Sequence, residues 1–337
     1  MSTNPLTPSF TEYDSKRLED HYLQVSSTPP PRLSPYSERV SLFINAIALI
    51  VSGICQVHFK TTKLNYPSSY DEYSFCFWRY LFSAMVNYSI MLYTKSSLKP
   101  FHLLKTNIWF WVRTIDQFVV FETYLFILSF FRASTATCFV SMAPAVILIL
   151  GVFLLNENFY MRYIYGIAIC FIGVLLIVSN ETSTATDKGH NTLWVVFMGS
   201  FWGIVQLISV ALHRVSSKIL LKDVIDEDTQ IMYTSGVNCV LPLCCMVFFG
   251  KGLVMNVGYL WNCAVNGAMW VLFTRLLILS LKGVDLNKTT AIGYITVVTV
   301  FILGAIFLGE KIHVTDVIGS LLILGFNVYN SMYPVNK

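Results

Sequence analysis

The sequence predicts an all-α membrane protein: ten transmembrane helices arranged as two five-helix halves of opposite orientation. Three observations predict it. Of 337 residues, 55% are hydrophobic and only 12% charged, with mean hydropathy +0.61, whereas soluble domains carry about 25% charged residues. Apolar stretches close to the roughly 20 residues needed to cross a hydrocarbon core recur from residue 40 to the C-terminal region. A motif in one half returns 153 residues later in the other. A soluble globule of this composition would expose large apolar patches, a problem that a bilayer removes.

Taken in order, residues 1–39 are polar and contain Pro29-Pro30-Pro31, which forbids regular helix, so they form a flexible cytosolic tail. Too many polar residues precede the first apolar run for a signal peptide. Spans fall near 40–59, 73–93, 107–131, 136–155, 159–179, 192–212, 230–250, 255–280, 289–308 and 314–333. They divide into a first half at 40–180, an external loop at 181–191 and a second half at 192–333. The polar alternation of barrel strands is absent, so helices must satisfy the backbone in lipid. Glu157 and Glu310 mark the two tightest breaks, because an unpaired carboxylate at mid-membrane is expensive.

Orientation follows from Lys and Arg. With the N-terminus in the cytosol, fourteen of the 23 lie on the cytosolic side, against six (Lys60, Lys63, Arg132, Lys188, Lys251, Lys311) outside. Both termini are therefore expected in the cytosol, in either the plasma membrane or an endomembrane. Asn180-Glu181-Thr182 then lies in the longest external loop, where a glycosylation sequon is usable. The sequons at Asn87 and Asn287 fall inside a helix and in the cytosol, and are expected to be inert.

The repeat is the strongest organisational signal. Ile149-Leu150-Gly151 matches Ile302-Leu303-Gly304, Leu155 matches Leu308, Glu157 matches Glu310 and Gly166 matches Gly319, without a gap. Glycines at matched positions let helix backbones approach closely in lipid. Because five is odd, the two halves point in opposite directions, the inverted arrangement of secondary transporters with a site at the interface near mid-membrane.

The segment Arg132-Ala-Ser-Thr-Ala-Thr137, then Ala143-Pro144, Phe153-Leu-Leu-Asn-Glu157, Gly166 and Gly173, resembles the EamA-type repeat of the drug/metabolite transporter superfamily. In that family the fourth helix carries a proline, ends in Leu-Gly-Glu and precedes a glycine-bearing fifth helix. Leu308-Gly309-Glu310 has the full ending, while Asn156 replaces the glycine in the first half and Val297 stands where the second proline belongs. Phe77-Trp78-Arg79 followed by Trp111-Val112-Arg113 is similar to the less characterised, G-like branch of solute carrier family 35. The resemblance covers roughly residues 40–333 and implies transport without specifying the substrate.

Ionisable groups inside the spans are the first candidates for a site, since burying them is costly unless they are paired. They are Arg79 in the second span, Arg113, Asp116 and Glu122 in the third, and Arg275 in the eighth. Arg113 and Asp116 are spaced to pair at i, i+3, leaving Arg79 as a partner for Glu122. The group forms either a substrate or proton site or structural ion pairs. Arg275 lies near the cytosolic end, where it can snorkel. Polar stripes add Asn45, Ser52 and Gln56 in the first span and Trp202, Gln206, Ser209 and His213 in the sixth. The eighth contributes Asn262, Asn266, Trp270 and Thr274, and the ninth Thr290 and Tyr294. Such faces turn from lipid toward a cavity or a neighbouring helix.

The eight cysteines sit in apolar stretches without zinc or disulfide spacing, and the six histidines are dispersed. Nothing resembles a P-loop or a hydrolytic motif, so no catalytic residue, metal or cofactor is expected. Basic residues sit in short loops and form no nucleic-acid footprint. The expected partners are the lipid bilayer and a small-molecule substrate, and no oligomeric state is indicated. The reading is alternating-access transport of a small polar or amphipathic organic solute. Three intrahelical arginines against two acids favour an anion, and the Trp and Tyr content suits a ring-bearing ligand. A membrane-embedded enzyme and a non-transporting receptor or regulatory subunit are the alternatives.

Overall fold

A computed structural model describes residues 38–67, 70–98, 107–155, 165, 168–179, 192–222, 226–249, 251–283 and 292–332. Among them every regular element is helical: α1 (Glu38–Asn65), α2 (Glu72–Thr94), α3 (Ile108–Phe130), α4 (Ala133–Ser141), α5 (Ala143–Leu155), α6 (Ala168–Ser179), α7 (Thr192–Lys222), α8 (Glu227–Phe249), α9 (Val257–Gly283), α10 (Tyr294–Leu308) and α11 (Val314–Met332). Stretches within α1, α7, α8 and α9 are long and apolar enough to cross a membrane. Burial is inverted relative to a soluble protein. Phe43, Leu92, Phe153, Val247, Phe248 and Phe307 face outward, while Arg79, Arg113, Asp116 and Glu122 are inside. Lipid accepts the first set, and the bundle interior must satisfy the second.

Helix ends follow local chemistry. Asp71 caps α2, its Oδ2 accepting Ser74 N–H at 2.8 Å, and Asn107 caps α3 by accepting Trp109 N–H at 3.0 Å. The fourth predicted span is two helices, because α4 stops at Ser141 and Met142 N–H bonds back to Phe139 O at 3.2 Å. Pro144, which lacks a donor, follows immediately, so the turn tightens there. At the end of α10, Gly309 adopts φ +62°, which a glycine accepts without strain, and the chain turns so that Glu310 N–H reaches Gly304 O at 3.1 Å. The matching Asn156 and Glu157 lie outside the described residues, as do Gly166 and the sequon at Asn180.

The packing carries the internal repeat. Pairing spans five apart relates α1 to α7, α2 to α8, α3 to α9, α4–α5 to α10 and α6 to α11. The largest contacts are α3 on α7 and α1 on α9, which this exchange interconverts. Contacts of α1 with α10 become those of α7 with α4–α5, and α2 on α9 becomes α8 on α3. The pairs α2–α8 and α4–α10 map onto themselves. So do α6 and α11, which touch backbone to backbone. A Cβ on Gly173 would lie 2.7 Å from Gly319 O, and one on Gly319 would lie 2.4 Å from Gly173 O. The glycine facing Gly319 is therefore Gly173, seven residues beyond Gly166, which the repeat aligns with Gly319.

Candidate functional site

Between the halves lies a cavity of about 110 Å³. Its lining on α1 runs Leu49, Ser52, Gln56 and Phe59, one stripe of that helix. Arg79 enters from α2, Phe121 and Tyr124 from α3, Thr137 and Ser141 from α4. Gln206, His213 and Arg214 come from α7, Trp270 and Phe273 from α9, and Thr296 and Val297 from α10. No carboxylate is among these lining residues.

Arg79 is the central feature. It is 1% exposed, and its guanidinium carbon lies 3.6 Å from the Phe121 ring centroid, 4.3 Å from that of Trp270 and 5.5 Å from that of Tyr80. Ring faces hold a cation without consuming its donors. Nε and Nη1 have no hydrogen-bond partner, and no carboxylate pairs with the group among the described residues. Close packing keeps it there: the Gly267 backbone lies against Arg79 O and Ser83, where a Cβ would come within 2.8 Å of the carbonyl. Gln56 lines the cavity from α1. Its Oε1 accepts from Thr137 Oγ1 at 2.7 Å and Tyr124 OH at 3.1 Å, and its amide donates to Ser52 Oγ at 3.4 Å. Gln206 Oε1 and His213 Nδ1 are buried without a partner, as acceptors or donors available to a ligand.

Arg113, Asp116, Glu122, Arg275, Trp202 and Asn266 are not among the cavity-lining residues. Arg113 and Asp116 do not pair. Arg113 Nε donates to Ser217 Oγ at 2.8 Å and Nη1 to Thr234 Oγ1 at 3.4 Å, while Asp116 takes the Ser209 hydroxyl. Partners on α7 and α8 outcompete the neighbour on the same helix. Glu122 pairs not with Arg79 but with Cys76, whose Sγ lies 2.9 Å from Oε1. Arg275 does not snorkel. It binds the Asp228 carboxylate and, at 2.9 Å, Asn87 Oδ1, which ties α9 to α8 and α2. Asn87 is fully buried in this network, a position closed to glycosylation. Trp202 stacks on Phe126 at 5.0 Å, one turn from Gln206. Asn266, one turn from Trp270, donates to Cys55 O at 3.2 Å and lies 3.4 Å from His58 Nδ1. Tyr294 opens α10, and its side chain lies outside the described residues. Arg214 was not anticipated, because the sixth span was expected to stop at residue 212 and α7 continues to Lys222.

An ion pair lies next in sequence to the cavity lining. Lys60, next to the lining residue Phe59, binds Glu310 Oε1 at 2.9 Å. The same carboxylate caps α4: Oε1 accepts Ala133 N–H at 2.8 Å, and Oε2 accepts Ser134 N–H at 3.3 Å and Ser134 Oγ at 2.9 Å. Beside it Arg132 holds Asp316 at 3.2 Å and Lys311 O at 2.6 Å. Burial pushes the Glu310 carboxyl up, but the Lys60 ammonium and the bonds from Lys60, Ala133 and Ser134 hold it below the usual carboxylate range.

Known proteins show the same organisation. A solved crystal structure superimposes with TM-score 0.64 at 14% identity, covering 88% of this chain and 99% of its own, which is a likeness of fold alone. An uncharacterized transporter, YxxF of Bacillus subtilis (strain 168), is 23% identical over 218 residues, 61% of this chain and 64% of that protein's length. Two stretches, residues 40–179 and 197–329, each match the EamA-like transporter family. With both halves of the bundle matched and its apolar surface turned outward, this integral multi-pass membrane protein belongs to the EamA-like transporter family.

Proposed function

We propose that the protein is a secondary transporter that moves a small organic anion bearing a ring or other apolar part across the membrane by alternating access. The observation that carries this reading is Arg79, a buried cation held between the Phe121 and Trp270 rings, with unbonded N–H groups and no carboxylate among the described residues of the cavity wall. A charge left unpaired in the interior is costly, and a ligand anion offsets that cost when it binds. Arg214 and the unpartnered Gln206 Oε1 and His213 Nδ1 add contacts for the rest of the ligand.

Ten spans in two inverted halves, with both termini in the cytosol and Asn180 outside, make the best frame for this cycle. The exchange of helix contacts between halves supports it. In that orientation Lys60 and Glu310 form the external closure, and the halves rock about the cavity to open each side in turn. The test is uptake into proteoliposomes, with thermal shift of the purified protein, across matched organic anions, zwitterions and cations carrying the same ring. Anions should stabilise and be taken up, and binding should be lost in Arg79→Met. A protein that prefers the cationic members, or that is indifferent to charge, would overturn the reading.

A further inference from the structure

The cavity has a neighbour. Between α4, α10 and α11 runs a groove of about 230 Å³, lined by Phe301, Ile302, Val317, Leu321 and Leu324, with Ser141 and Ser320 as its polar residues. Ser141 Oγ is turned back onto Cys138 O at 2.8 Å, so the surface that it adds is nearly apolar. Ile302 and Leu321, 52% and 58% exposed, face outward with the other lipid-facing side chains. Two residues line both spaces: Ser141 and Val297. Among the described residues these two are common to both linings, and Ser141 is the last residue of α4, where the helix is interrupted at Met142.

Size and chemistry give the groove a role. Ligand sites span about 300–1,000 Å³, and the cavity alone is well below that range, while cavity and groove together reach its lower end. The cavity has cations and hydrogen-bonding groups but little room. The groove has room but no charge, and opens toward the hydrocarbon core. One molecule that fits both has an anionic head and an aliphatic tail. We propose that the site takes amphipathic organic anions, the head against Arg79 and the alkyl tail passing between Ser141 and Val297 into the α4–α10–α11 groove. This rests on the anion reading of the cavity and adds the shape of the substrate to it.

Straight-chain alkanesulfonates test it, since their charge does not titrate. Binding to the purified protein is followed by thermal shift, against free aqueous ligand, from ethanesulfonate to decanesulfonate. Each methylene seated in the groove should tighten binding about fourfold, the equivalent of about 0.8 kcal/mol. Ile302→Trp and Leu321→Trp fill the groove from its outer face without entering the core. Both should flatten the chain-length dependence while leaving ethanesulfonate affinity as in the wild type. An equally steep dependence in either folded variant, or no dependence in the wild type, would overturn the proposal. If ethanesulfonate does not bind, or binds Arg79→Met equally, the anion reading itself fails, and the two failures are distinguishable.

Discussion

Arg79→Met separates a ligand-binding arginine from a structural one, because the two roles move stability and binding in opposite ways. Each buried N–H without a partner costs about 1–3 kcal/mol, and Nε and Nη1 are both in that position. The Phe121 and Trp270 faces return about 1–2 kcal/mol each. Those amounts nearly cancel, so the ligand-free variant should keep the wild-type stability within about 1–2 kcal/mol or exceed it. Binding is different: a hydrogen bond to a charged ligand contributes about 1.5–3 kcal/mol, so losing one or two of them weakens affinity about 100-fold at 1.4 kcal/mol per decade. Ligand at 100 times its dissociation constant stabilises the wild type by about 2.7 kcal/mol, and the variant at the same concentration by only about 0.4 kcal/mol. Thermal unfolding with and without ligand measures both quantities. A variant that unfolds several kcal/mol more easily yet keeps the full ligand-dependent shift would make Arg79 a structural residue and refute the reasoning.

Other substitutions test the frame around the site. Gly319→Ala should cost about 1–3 kcal/mol by overpacking α6 against α11, whereas Gly325→Ala, with nothing within 4 Å of the added Cβ, should stay within about 0.5 kcal/mol; equal melting temperatures would deny the close crossing. Arg275→Gln and Asp228→Asn should each destabilise, and their double-mutant cycle should show coupling of about 1 kcal/mol or more. Additive effects would mean that the pair does not join α9 to α8. Asp116→Asn and Glu122→Gln, neither of which borders the cavity, should leave the pH dependence of uptake unchanged. Loss of that dependence in either would assign its carboxyl to proton coupling.

The all-helical fold with two related halves was legible because lipid imposes one rule on every span: about 20 apolar residues, with all backbone groups bonded within the helix. The motif ending in Leu308-Gly309-Glu310 was legible because a turn that needs φ +62° selects glycine, and an acid beyond it has an N-terminus to cap. Side-chain pairing was not legible. Spacing put Arg113 beside Asp116, but Ser217 and Ser209 on α7 sit at the α3 interface and take each group separately. Arg275 was read as a snorkelling end because its partner, Asp228, was placed before the seventh span, whereas α8 begins at Glu227. Hydropathy marks where a helix meets water only when the helix stops there. α7 runs ten residues past its expected end, carrying His213 and Arg214 to the cavity. Arg79 was picked out from charge alone. What distinguishes it, two aromatic faces from α3 and α9, is a product of packing that no local pattern encodes.

The same packing places basic residues at matched positions of the two halves. Laid over each other with Phe43 on Phe197, α1 and α7 put Ser52 on Gln206, Gln56 on Val210 and Phe59 on His213, all cavity-lining positions. Lys60 then falls on Arg214. Lys60 is engaged by Glu310, whereas Arg214 pairs with no carboxylate among the described residues and faces the cavity. The repeat matches Glu310 to Glu157, which lies outside the described residues, so Lys60 and Glu310 are the ion pair through which a gating role is tested. Glu310→Gln removes the ion pair, whose side chains are 16% and 8% exposed, together with charge-assisted bonds worth about 1.5–3 kcal/mol each. A shift of about 1.4–2.8 kcal/mol changes the population open on the Lys60 side by about 10- to 100-fold. Cys55 lines the cavity and reports that opening. A membrane-impermeant thiol reagent added from that side should label Cys55 about 10- to 100-fold faster in Glu310→Gln than in the wild type. Because the Glu310 carboxyl is held below its usual value, the closure is complete above the ordinary carboxylate range and is lost as pH falls through the depressed value. Acid lowers the thiolate fraction of Cys55 in both proteins alike, so the ratio of variant to wild-type labelling should fall towards one only in acid, where the wild-type closure is lost and the variant's no longer titrates. Labelling that is equally slow in both proteins at neutral pH would show that Lys60 and Glu310 stiffen the fold without gating the cavity.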